Sequence, residues 1–289
     1  VARMSESTRG VALGLAAYSM WGLFPLFFAL FDNVPAVEIL THRILWSCVF
    51  LAVVISLLRR WSPIRDALTH PRRLGRVLGC AILIALNWGL YIYSVETQHV
   101  LQASLGYFMT PLVNVALGML VLKERIKPMQ GVAILLALMA IGIQLVQLGS
   151  LPWISLVLAA SFGTYGLLRK QVQLDGLSGL LVETLLLLPF ALMMVGWLTA
   201  NGTSNFTGLS STSLLLISSG ILTAIPLLAF AGAARRLSLG TVGFLMYINP
   251  SLQFVVAIWV LGEPLQIEQL TTFALIWIGL LLYSVSSWR

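Results

Sequence analysis

Four ionisable side chains interrupt otherwise apolar segments: Glu38, His42 and Arg43 in one stretch and Glu183 in another. A charge set into hydrocarbon costs about 2.5 kcal/mol or more, so such groups are candidates for gating, ion coupling or recognition of a charged solute. On a helix Glu38 and His42 are i, i+4 neighbours on one face, and Arg43 is rotated from Glu38 by about 140°. Arg43 is thereby offered to Glu38 on the neighbouring turn or to an anionic group from outside the protein. Glu183 sits at a similar depth from the opposite membrane surface, which predicts a carboxylate near each gate. The alternative is that its carboxylate snorkels to the lipid headgroups. His42 titrates near neutral pH as a free side chain, so it would make its gate pH-sensitive without supplying a driving force.

Neutral polar residues form two further candidate faces. Tyr107, Thr110 and Asn114 follow i, i+3, i+7 spacing and share a face with Pro111. Asn249 and Gln253 repeat that face around Pro250, with Tyr247 beside it. A proline inside a helix removes one backbone hydrogen bond, so Pro111 and Pro250 are expected kinks whose freed carbonyls face a cavity. Such faces either bind solute or glue helices together at roughly 1 kcal/mol per hydrogen bond. Tyr18, Trp21, Trp46, Trp88, Tyr91 and Tyr165 are candidate pocket walls, with Trp21 and Tyr107 favoured by depth. The expected binding set is therefore Trp21, Tyr107, Thr110, Asn114, Tyr247, Asn249 and Gln253.

One shift relates these residues. Moving the chain by 139 positions places Pro111 on Pro250 and Glu124 on Glu263. It also pairs Thr110 with Asn249, Asn114 with Gln253, Leu122 with Leu261 and Tyr91 with Phe230. This predicts an internal repeat with halves at 1–147 and 148–289. An odd number of spans per half turns the second upside down, an arrangement found in carriers that bind substrate near the midplane.

The elements that must hold these residues are set by composition. Of 289 residues, 59% are apolar and 9% charged, and mean hydropathy is +0.95. That is a polytopic membrane protein, with too little chain left between spans for a sizeable extramembrane domain. Ten all-α transmembrane helices are predicted at about 10–31, 36–58, 74–94, 100–122, 128–147, 152–168, 178–198, 212–234, 239–262 and 269–287. Five lie in each half. Arg3 and Arg9 precede the first span, which is too long for a secretory signal, so it is expected to remain as a helix. Val1 to Arg3 are read as a start-site remnant before Met4.

With both termini in the cytoplasm, 16 of the 17 basic residues fall on inner segments and Arg43 is the exception. The positive-inside rule thus predicts that orientation. The net charge of +7 is explained by these helix-end clusters, not by nucleic-acid binding. Lys123, Lys127 and Lys170 are followed by Glu, Pro and Gln, so no P-loop for ATP exists in this chain. Cys48 and Cys80 lie in apolar runs without CxxC spacing and are expected to be packing residues. No cofactor or metal is implied.

Several stretches resemble the EamA-type permeases of the drug/metabolite transporter superfamily. They are Trp21-Gly22, Glu38 through Ser47, Asn87-Trp88, Ala103 through Phe108 ahead of Pro111-Leu-Val-Asn114, and Gly163 through Arg169. The resemblance covers essentially the whole chain. It implies ten helices in the bacterial inner membrane and a subgroup whose name is linked to chloramphenicol sensitivity. Thr110 and Lys123 depart from the Asn before Pro and the Gly before Glu usual there, whereas Asn249-Pro250 and Gly262-Glu263 carry both in the second half.

The expected function is secondary transport of a small metabolite or drug-like solute by alternating access, with the lipid bilayer as the other partner. Facilitated or exchange movement of a neutral or zwitterionic solute is favoured, because the middle third of the spans lacks Asp, Glu, Lys and Arg. A proton-coupled antiporter is the alternative. An intramembrane enzyme is disfavoured: no HExxH motif occurs, and Ser210 has no histidine placed to activate it. A receptor or scaffold would not need two copies of a polar midplane face.

Overall fold

In a computed structural model of the chain, residues 4–237 and 245–287 are described, apart from the side chains of residues 170, 234, 235 and 287. The readings on Arg3, Arg289 and the first part of the ninth span lie outside the described residues. Helix α1 (Glu6–Gly22) starts at Ser5, whose side chain accepts from Thr8 N. It does not run on to residue 31 as expected, because Pro25 has no N–H to give to Trp21 O. The chain breaks at Leu23, which bonds back to Ser19 O and Met20 O, and restarts as α2 (Phe24–Phe28).

Pro35 leads into α3 (Ala36–Leu58), which ends at Arg59 with a φ of 55°. A short helix α4 (Ser62–Thr69), not anticipated by the span pattern, buries Ile64 and Ala67 and leaves its polar side outward. Next come α5 (Pro71–Glu96), α6 (Val100–Val121) and α7 (Pro128–Leu148). They are followed by α8 (Trp153–Val172), α9 (Gly176–Ala200) and α10 (Ser211–Arg236). Asp175 and Ser210 cap α9 and α10 by accepting from Ser178 N and Ser213 N. After residues 238–244 the described chain resumes with α11 (Ile248–Val255), a π-helical turn over Val256–Val260, and α12 (Ile267–Ser287). Among the described residues, eight helices are long and apolar enough to cross a membrane, and Trp153–Arg169 and Ile248–Val260 are shorter apolar helices. No strand occurs among the described residues.

Pro111 lies inside α6, where Thr110 Oγ1 donates to Gly106 O. At Pro250 the helix is interrupted: turn residues Met246 and Tyr247 precede α11, and Pro250 falls in its first turn, where a missing N–H costs nothing because first-turn donors have no intrahelical acceptor. Prolines also stand inside α9 at Pro189 and inside α10 at Pro226.

The helices pack in pairs: α6 and α5 along α8, α1 and α3 along α10, α3 along α9, and α7 along α12. Glycine permits the closest approach. A Cβ on Gly220 of α10 would overlap the backbone of Trp46 and Ser47 on α3, so this crossing tolerates no side chain. Basic side chains at one end of the bundle close helix C-termini. Arg73 donates to Val172 O and Gln173 O, and Lys127 Nζ to Ser286 O, placing cations where helix dipoles are negative.

Two turns 139 residues apart have the same form. Lys123 and Gly262 both take positive φ, 54° and 67°. Just beyond them Glu124 N donates to Gly118 O at 3.1 Å and Glu263 N to Ala257 O at 2.8 Å.

Candidate solute site

Arg43 is the centre of the most unusual arrangement in the bundle. Its side chain, only 4% exposed, is held on α3 against α2, α5 and α10. The guanidinium carbon lies 4.2 Å from the Trp88 ring centroid, 5.5 Å from Phe28 and 5.7 Å from Phe24. Nε donates to Thr223 Oγ1 at 2.9 Å, while Nη1 has no acceptor. No ion pair to Arg43 exists among the described residues. The expected neutralisation by Glu38 therefore does not occur, because Arg43 turns inward from the face that carries Glu38. Cation–π contact replaces part of the lost hydration without cancelling the charge.

Tyr91 stands beside this cage, its ring 5.9 Å from Phe28 and 6.0 Å from Tyr107, and its buried hydroxyl has no partner. Tyr107 donates to Asn87 Oδ1 at 3.2 Å, and Asn87 Nδ2 donates to Leu158 O and Ser161 Oγ, so Asn87 is fully engaged. A cavity of about 340 Å³ opens above, lined by Phe28, Phe31, Ile39, Ile92 and Val95 with Asn33, Glu96, Gln98 and Glu263 among its polar groups. Phe28 touches both spaces, forming the cavity wall on one side and the Arg43 cage on the other.

Three carboxylates tie this end of the bundle together. Glu38 accepts from Asn205 N at 2.6 Å and Asn205 Nδ2 at 2.7 Å, which fastens the α9–α10 loop over α3. Phe206 of that loop stacks on His42 at 5.0 Å and on Trp46 at 5.9 Å. His42 Nδ1 accepts from Trp46 Nε1, so a neutral imidazole carries its proton on Nε2, which has no acceptor. Glu96 accepts from Ala36 N. Glu263 accepts from Val100 N at 2.6 Å and Leu101 N at 2.8 Å, capping α6 from a position 163 residues away. Burial raises the Glu263 carboxyl above the ordinary carboxylate range, against the opposing pull of those two N–H groups.

At the other end Glu183 is fully buried, which overturns the headgroup alternative for it. Tyr165 OH contacts its two oxygens at 3.0 and 2.9 Å, and Arg169 Nε lies 3.4 Å from Oε1. Arg169 counts in sequence as a marker of orientation, yet its side chain folds inward over Gly179, where a Cβ would collide with the guanidinium.

The expected binding residues fall into small groups. Trp21 packs on Tyr18 at 5.4 Å and Phe230 at 5.9 Å. Asn249 Oδ1 accepts from Gln253 Nε2 at 2.7 Å, and Gln253 is buried. Tyr247 OH lies 3.4 Å from Ser284 Oγ. Asn114 is exposed and adjoins Gly163 on α8. Asn205 shows in the sequence only as an Asn-Phe-Thr sequon in a polar loop, and Phe206, Thr223 and Phe28 carry no signal of type or spacing. Their importance comes from contacts across 167 and 180 residues for the first and third.

Apolar helices of spanning length around buried charged groups define a polytopic membrane protein with a polar interior site. Residues 8–146 match the EamA-like transporter family. The chain is 44% identical over 279 residues to Protein RarD of Escherichia coli, covering 96% of this chain and 94% of that one. It is 45% identical over 281 residues to an uncharacterized transporter of Vibrio cholerae, covering 97% and 93%. A chloramphenicol-sensitive protein RarD of Pseudomonas aeruginosa is 33% identical over 290 residues, covering 99% and 97%. A crystal structure 17% identical in sequence shares the fold at a TM-score of 0.59, over 99% of this chain and all of that one. The chain belongs to the EamA-like transporter family, in its RarD-type branch, and is a multi-pass membrane transporter.

Proposed function

We propose that the protein is a secondary transporter that moves a small metabolite or drug-like solute across the bacterial inner membrane by alternating access. In this reading ten spans form two inverted repeats, 1–147 and 148–289, with both termini in the cytoplasm. The observation that carries it is the placement of two buried charges. Arg43 follows the start of α3 at Ala36 by the same number of residues as Glu183 follows the start of α9 at Gly176. If the repeats are inverted, the two charges lie at equal depth from opposite surfaces.

The helix pairing supports the same symmetry. Counting α1 with α2 as one span and leaving out α4, advancing each partner by five turns α1–α10 into α8–α5 and α6–α8 into α11–α1. The pairs α3–α9, α6–α11 and α7–α12 map onto themselves. Each half then supplies one gate: Glu38, His42 and Arg43 at the periplasmic end, Glu183 with Arg169 and Tyr165 at the cytoplasmic end. The polar faces of α6 and α11 line the path between them.

Facilitated or exchange transport is the favoured mode. Proton coupling is the second reading, supported by the burial of Glu183. Counterflow of radiolabelled solute in proteoliposomes separates them, with chloramphenicol and small aromatic carboxylates as the first probes. Counterflow that persists without a pH gradient is expected. Concentrative uptake that requires the gradient and is abolished by Glu38→Gln or Glu183→Gln would establish proton coupling. Absence of movement for every probe tried, in protein shown to bind one of them, would remove the transport reading.

A further inference from the structure

We infer that Arg43 is a recognition site for a carboxylate on the solute, and that the solute's body is small and apolar or aromatic. This rests on the transport reading and narrows its substrate class.

The first ground is an imbalance of donors and acceptors. The space around Arg43 holds two buried donors without acceptors, Arg43 Nη1–H and Tyr91 O–H. The neighbouring acceptor Asn87 Oδ1 accepts from Tyr107, and among the described residues no carboxylate pairs with the guanidinium. Buried donors left unpaired are costly, and a buried cation without a counter-ion more so. A carboxylate presents lone pairs to both and cancels the charge, and Arg is the side chain that takes it in forked geometry.

The second ground is the contrast with the other half. A shift of 140 residues, which aligns the starts of α3 and α9, places Arg43 on Glu183, and a shift of 144 residues, which aligns the ends of α2 and α8 at Phe28 and Val172, places Pro25 on Arg169. At the Glu183 site the second half provides the opposite charge through Arg169. At the Arg43 site the equivalent position is Pro25, which brings none. One buried charge thus has its partner built in, and the other is left for something that comes and goes.

The third ground is access. Phe28 alone is shared between the cage and the adjoining cavity, and Ala29 lines that cavity too. The Phe28 ring is thus the group whose rotation would join the two spaces. Phe24, Phe28 and Trp88 around the cation, and Phe31, Ile39 and Ile92 beyond it, suit an apolar body attached to the carboxylate.

The test uses the purified full chain with three probes of one shape: 3-phenylpropionate, its neutral amide and the corresponding primary ammonium. Equilibrium binding should favour the carboxylate over the amide by about ten- to a hundredfold, with the ammonium weakest. Arg43→Met removes the charge while keeping an apolar chain of similar length, and Thr223 retains its bond to Ser219 O. Its ligand-free melting temperature should stay level or rise, because a buried uncompensated charge has gone, while the preference for the carboxylate disappears. Arg43→Lys keeps the charge and loses the fork, so it should retain the preference at lower affinity. Equal binding of amide and carboxylate, no binding by any probe, a preference that survives in Arg43→Met, or one absent in Arg43→Lys would each overturn the inference. Selective binding without counterflow would leave the site standing and remove transport. Counterflow of the amide as fast as the carboxylate would do the reverse.

Discussion

Asn114 and Gln253 lie 139 residues apart, each three residues after a proline, yet their surroundings assign them different work. Gln253 is 1% exposed and donates to Asn249, whereas Asn114 is exposed beside Gly163. Truncating Gln253 leaves a gap and a deserted acceptor. Gln253→Ala should therefore lower stability by about 1 to 3 kcal/mol, read as a fall in melting temperature. Asn114→Ala should leave the melting temperature unchanged and weaken solute binding about two- to tenfold. A stable Gln253→Ala, or a destabilised Asn114→Ala, would reverse these roles. Residue types alone could flag Glu38, His42, Arg43 and Glu183, because charge in an apolar run is visible in any sequence. Their partners were not visible. Asn205 and Thr223 reach Glu38 and Arg43 across 167 and 180 residues, and no periodicity encodes such pairing.

Helix ends carry much of the specification of this bundle. The turn after α6 places Lys123 at a φ of 54°, a conformation that costs a side-chain-bearing residue about 1 to 2 kcal/mol and glycine far less. Its counterpart 139 residues later is Gly262 at 67°. Lys123→Gly should stabilise the protein by about 0.5 to 1 kcal/mol, after allowing for the greater freedom of glycine in the unfolded chain. Chemical denaturation of the reconstituted protein measures this, and a loss of stability would show that the Lys123 side chain makes a compensating contact. The hydrophobic runs located α3 and α6 to within a residue at each end, because Pro35 and the polar turns punctuate them. They missed the break at Leu23 and the π-helical turn at Val256–Val260, since both preserve apolar character while changing only which carbonyl each N–H meets.

For the molecule as a whole, the proposed orientation rests on the basic helix-end residues that close C-terminal carbonyls at one end. With single cysteines at exposed Thr203 and Arg65, an impermeant maleimide should label intact spheroplasts at position 203 and not at position 65. The opposite pattern would invert the topology and exchange the two gates. The proposed repeat is read from paired prolines, polar faces and helix-end glutamates in the sequence. The asymmetry between a paired Glu183 and an unpaired Arg43 was not, because it depends on how α8 and α2 meet their neighbours.

Alternating access to the Arg43 site is the centre of this account, and one labelling measurement addresses it most directly. Replace Cys48 and Cys80, both buried, with serine and place a single cysteine at position 92, whose side chain lines the cavity adjoining the Arg43 cage. Then treat right-side-out and inside-out membrane vesicles with a small, impermeant, negatively charged thiol reagent. A site exposed in turn to each side should be modified in both preparations, and 3-phenylpropionate should slow the reaction in both. Modification from one side only, or from neither, would contradict alternating access through this site.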